Sequence, residues 1–112
     1  RQAVLQKEVD YLLEIGANAE HGYISSGMIF ASRQRLKDRG FNTDSLIYLV
    51  STTTTNSGMN PSSPVPRGEG IILEIRYPYE SLFLIDRLVG ISVPDTDSMM
   101  GAKGIKMSEY VP

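Results

Sequence analysis

The sequence predicts an α+β domain in which an N-terminal helix and a second helix pack on a small antiparallel β-sheet. Three observations carry this. Apolar residues recur at helical spacing through the first 40 residues, IILEIRY alternates apolar and polar with a period of two, and NSGMNPSSPVPRGEG, with three prolines and three glycines, separates that strand from LIYLVSTTTT. At 112 residues the chain reads as one domain, helical over residues 1–40 and β-rich over 45–112.

In RQAVLQKEVDYLLEIGANAE, Leu5, Val9, Leu12 and Ala19 form one stripe, with Val4, Leu13 and Ile15 beside it. Gln6, Lys7, Glu8, Asp10 and Glu14 take the opposite side. The spacing predicts a helix over residues 1–19, stopped at His21-Gly22. No Ser, Thr, Asp or Asn caps its start, so the helix is expected to continue upstream of Arg1. Ser25 or Ser26 caps a second helix that turns Met28, Ile29 and Leu36 inward with Ala31 and Ser32, and leaves Arg33, Gln34, Arg35, Lys37 and Asp38 outside. Gly40 closes it, and Arg35, Lys37 and Arg39 complement the negative end of the helix dipole as a solvated face.

From Leu46, β-branched and aromatic residues predict a strand. A hairpin with an exposed loop over residues 56–68 leads to a second strand over 71–77, whose Ile71, Leu73, Ile75 and Tyr77 face one way and Ile72, Glu74 and Arg76 the other. Pro78 ends it. YESLFLIDRLVG fits a helix or turn through Leu82, Ile85, Leu88 and Val89, residues 94–104 read as a second loop, and GIKMSEYVP as a final strand.

Composition excludes several functions. The formal charge of -2 comes from interspersed Lys+Arg 11 and Asp+Glu 13, so no one-signed field favours nucleic acid. There is no cysteine, hence no disulfide, thiolate metal site or cysteine nucleophile. Apolar runs such as residues 71–73 and 82–85 are far shorter than the about 20 residues that cross a bilayer. The single histidine, His21, reads as a helix-end residue without a nucleophile nearby. Asp95 and Asp97 make an Asx-rich turn rather than a calcium loop, which needs further ligands and a closing Glu. GEG lacks the lysine and helix start of a phosphate loop. Glu74 and Glu80 lack the aromatic cleft that sugar hydrolysis uses, since the chain has no Trp. No catalytic, cofactor or metal residue is assigned, and the domain is expected to hold things together rather than catalyse.

VLQKEVDYLLEIGANAEHGYIS leading into RQRLKDRGF, the central IILEIRYPY followed by LFLIDRLVG, and the closing GIKMSEYVP together resemble the TadE-like pseudopilins and related pilin-like proteins of bacterial pilus, secretion and conjugation machinery. The resemblance spans most of the chain. It implies a pilin-like fold, a structural subunit without enzymatic activity, and a cell-surface, extracytoplasmic location. An apolar membrane helix before Arg1 is implied as its anchor, and the implied partners are other pilin-like subunits and assembly-machine proteins. Residues 56–68 and 94–104 are then contact candidates, and deleting residues 56–66 is expected to leave the fold stable. Two alternatives stand beside it. One is a cytosolic adaptor; the other is a small ligand-binding or enzymatic domain, for which His21, Glu74, Arg76 and Tyr77 are scattered candidates.

Overall fold

The computed structural model describes residues 2–53, 64–78 and 99–111. Helices α1 (Gln2–Gly16) and α2 (Ser26–Asp38) are followed by a 3-10 turn (Thr43–Ser45) and strands β1 (Ile47–Thr52), β2 (Gly70–Pro78) and β3 (Met99–Met107). The strands form one antiparallel sheet in the order β1-β2-β3, with Val50 opposite Leu73 and Leu73 opposite Gly104. The α+β architecture expected from the sequence is therefore present, with both helices packed on a three-stranded sheet.

Helix α1 lies along β2 and β3 because its stripe is apolar where theirs is. Leu5, Val9 and Leu12 are fully buried against Ile71, Leu73 and Ile75. Burial of each such side chain contributes about 1.5–3 kcal/mol. The approach is close: a Cβ on Gly104 would sit 2.9 Å from Leu13 Cδ1 and 3.1 Å from Val9 Cγ1. Helix α1 ends at Gly16, three residues short of the expected bound, because the chain doubles back so tightly that a Cβ there would meet Ile24 at 2.8 Å and the Tyr23 carbonyl at 2.9 Å. Ala19 is consequently exposed, outside the stripe, and Asn18 Oδ1 organises the turn by accepting from the amides of Glu20 and His21.

Helix α2 starts as expected, with the Ser25 hydroxyl accepting from the Met28 amide. Arg39 is its C-cap and Gly40 follows with φ 93°. Its inner face is narrower than expected: Ser32 and Leu36 are buried, whereas Ala31 is exposed.

The final strand departs most from expectation. It spans Met99–Met107, so most of the predicted loop 94–104 is strand, and Ser108, Glu109 and Tyr110 lie beyond its end. MMGAKG contains two glycines and no β-branched residue, which hides a strand from propensity alone. Gly104 is instead demanded by α1. The chain after β3 turns back, where the Glu109 amide donates to the Ala17 carbonyl at 2.7 Å. Part of the predicted outer loop is also structural. Val65 is buried, its amide donates to the Gly22 carbonyl at 2.7 Å, and its carbonyl accepts from Ser108 Oγ at 2.7 Å. Deleting residues 56–66 would remove this anchor, so the deletion is not neutral to the fold. The predicted element over YESLFLIDRLVG, Asp95 and Asp97, and residues 56–63 lie outside the described residues.

Candidate functional site

Strand alternation decides which candidate side chains can meet. Glu74 and Arg76 project from the sheet face opposite α1, joined by an ion pair of 3.0 Å. Tyr77 projects to the other face, buried beside Phe41 with ring centroids 4.9 Å apart, and its hydroxyl accepts from the Asn42 amide at 2.7 Å. His21 lies in the turn after α1, its Nδ1 2.8 Å from Asn18 Oδ1. The structure thus brings Glu74 and Arg76 together and keeps Tyr77 and His21 apart from them. Among the described residues no three His, Cys, Asp or Glu side chains are grouped to hold a metal ion.

A polar cluster whose charged members, Glu8, Arg33 and Arg35, are expected from the sequence on solvated faces instead joins the two helices to β1. Glu8 is buried, and Arg35 reaches it from α2 with Nη2 2.6 Å from Oε2 and Nε 3.2 Å from both carboxylate oxygens. The Arg35 guanidinium also covers the Tyr11 ring at 4.8 Å. One turn earlier, the Ser32 and Tyr48 hydroxyls share a 2.6 Å hydrogen bond. Arg33 lies 4.9 Å over the Tyr48 ring and donates through Nη1 to the carbonyls of Thr43 and Leu46, at 2.8 and 3.1 Å. Each cation is therefore engaged in structure, although the Arg35 side chain stays 41% exposed. Glu8 carried a legible sign of this, since it sits three residues after Leu5 and four before Leu12, at the rim of the apolar stripe.

Hydrogen bonding to Glu8 holds the Arg35 guanidinium above its ordinary range against the opposing effect of burial. Burial raises the Tyr48 phenol above the usual 10, the hydrogen bond from Ser32 opposes it, and the Glu8 carboxylate adds to the rise. The unfolded chain then releases this proton before the folded one, so Tyr48 contributes stability that is complete below about pH 10 and declines as pH rises through the folded value. An absorbance titration at phenolate wavelengths, subtracting Tyr48→Phe from the parent, is expected to place this one ionisation above 10.

The sheet face turned away from α1 is the other notable surface. Ile47, Leu49, Ile105 and Met107 are exposed there, around a centre made by Glu74, Arg76 and Lys103. An open depression of about 470 Å³ beside β1 is lined by Leu49, Ser51, Ile72, Glu74 and Lys103 on this side. A second cleft of about 310 Å³ runs between the helices past Lys7, Glu8, Tyr11, Arg35 and Arg39. Both are shallow. Among the described residues no helix is long and apolar enough to cross a membrane. Compared with protein-family models, curated proteins and solved structures, the chain matches none.

Proposed function

We propose that the chain is a non-enzymatic structural subunit, pilin- or pseudopilin-like, of a bacterial cell-surface filament, secretion or conjugation apparatus. One observation supports this reading above the others: α1 covers one face of the sheet, while the opposite face keeps Ile47, Leu49, Ile105 and Met107 exposed. Apolar side chains held on a rigid sheet are suited to packing against a neighbour, here as two apolar pairs flanking a charged centre of Glu74, Arg76 and Lys103. The shallow clefts and the separation of His21 and Tyr77 from Glu74 and Arg76 also favour assembly over chemistry. In this reading the full-length protein carries an apolar helix of about 20 residues that anchors it before assembly and packs in the filament afterwards. Its partners are other pilin-like subunits and assembly-machine proteins.

The test is to read the gene upstream of Arg1 and to fractionate cells making the full-length protein. Recovery in membranes and in sheared surface filaments, with an apolar segment upstream, is the expected result. A polar upstream sequence with the product in the cytosol overturns the proposal in favour of an intracellular adaptor.

A further inference from the structure

The two outer edges of the sheet are treated differently. Register and hydrogen bonding show which backbone groups point outward. The Thr53 amide donates to the Gly70 carbonyl at 3.1 Å, so by alternation Ile47, Leu49 and Ser51 use their backbone groups toward β2, and those of Tyr48 and Val50 point away from the sheet. On the far side the Ser108 amide donates to the Glu69 carbonyl at 2.7 Å, which turns the backbone groups of Gly101, Lys103, Ile105 and Met107 outward from β3.

The β3 edge is guarded at Gly101 and Lys103. The amide side chain of Gln2 donates to the Gly101 carbonyl, that of Gln6 donates to the Lys103 carbonyl at 3.4 Å, and Lys106 pairs with Glu14 at 3.4 Å. Gln2, Gln6, Asp10 and Glu14, four residues apart on one flank of α1, run along that edge. Edge strands are commonly blunted by charge, proline or a covering element. Among the described residues the β1 edge has none of these: IYLVST contains no charge, proline or glycine. The Leu46 carbonyl is taken by Arg33, but the outward backbone groups of Tyr48 and Val50 have no partner among the described residues.

We propose that the β1 edge is a strand-addition site whose occupant is β1 of a second copy of this chain, paired antiparallel about a two-fold axis with Leu49 opposite Leu49. The unpartnered groups fix this register. It joins Tyr48 of each copy to Val50 of the other by four backbone hydrogen bonds. Centring the axis on Tyr48 would need the Leu46 carbonyl already held by Arg33, and centring it on Val50 would draw on Thr52, the buried last residue of β1. Charge is compatible as well. The two Glu74 carboxylates stand three strand spacings apart, about 14 Å, beyond the ionic screening length, and each keeps its own Arg76. The paired sheets also place Ile47 and Leu49, exposed in one copy, beside Ser51 and Leu49 of the other. The inference specifies one contact of the assembly reading and rests on that reading for its use in the cell, while the pairing itself is a property of this domain.

Two measurements on the whole chain test it. In the parent, amide exchange at Tyr48 and Val50 is expected to slow at least about tenfold as concentration rises from about 10 μM to about 1 mM, with other β1 amides little changed. Concentration-independent exchange at both amides overturns the pairing. Because the chain has no cysteine, Leu49→Cys reports the interface directly. Directly opposed residues of this non-hydrogen-bonded type have Cα atoms about 4.5 Å apart, within disulfide range. Leu49→Cys is expected to form disulfide dimers at least about tenfold faster than Ile105→Cys, which is more exposed but lies on β3. Adding Val50→Pro, which deletes an outward amide while sparing the β1–β2 ladder, is expected to abolish the difference. Equal rates for the two cysteines overturn the pairing whether or not the proline variant folds. Filaments that assemble normally from a Leu49→Lys subunit would also overturn it and leave the assembly reading standing; concentration-dependent pairing of a protein found only in the cytosol would do the reverse.

Discussion

Replacing Tyr77 with alanine is expected to lower stability by about 3–5 kcal/mol, the range for deleting a large aromatic from a close-packed core. Tyr77 is 1% exposed, meets Phe41 edge-to-face at 4.9 Å, and holds the chain after α2 by accepting from the Asn42 amide. Its loss opens a cavity where β2, the end of α2 and the start of the 3-10 turn converge. Tyr77→Phe separates packing from hydrogen bonding. It keeps the ring and is expected to cost only about 0.5–1.5 kcal/mol, because exposed Asn42 can pass its amide to water. Equilibrium denaturation of both variants checks this; equal losses would show that the hydroxyl, not the ring, holds the junction.

The second large effect is expected from Gly104→Val, at about 1–3 kcal/mol or more of destabilisation. On propensity alone valine improves a strand. Here its Cβ would fall 2.9 Å from Leu13 Cδ1 and 3.1 Å from Val9 Cγ1, and the added methyls have to push α1 off the sheet. Lys103→Val, next to it but facing the opposite side, serves as the control and is expected to stay within about 0.5 kcal/mol of the parent. A stabilised Gly104→Val protein would mean that α1 rides higher on β3 than described.

What the sequence disclosed, and what it hid, divides along one physical line. Periodic burial was legible: Leu5, Val9 and Leu12 on the helix and Ile71, Leu73, Ile75 and Tyr77 on β2 are buried as their spacing requires. Features created by long-range contact were not. Strand β3 was read as mostly loop because MMGAKG lacks strand formers, and only the helix lying on it explains Gly104. Arg33 and Arg35 look solvent-facing until the turn after α2 and the α1 surface are in place to receive them. Val65 sits in a Pro/Ser/Gly-rich run whose composition announces a loop and conceals a core contact. For the candidate interface, the neutral character of IYLVST was plain in the sequence, but its meaning depended on learning that β1 is an edge.

The glutamines on α1 oppose the growth of a sheet built from this domain. Edge-to-edge polymerisation needs two open sides per molecule, one to receive a neighbour and one to offer to the next. With Gln2 and Gln6 occupying the Gly101 and Lys103 carbonyls, a neighbour arriving at that part of β3 has to displace both side chains, whereas one arriving at Tyr48 and Val50 displaces none among the described residues. Because the protecting groups are neutral amides, this cap does not loosen with salt or with the titration of a side chain. Extension of a paired sheet through β3 therefore carries a cost that pairing at β1 does not.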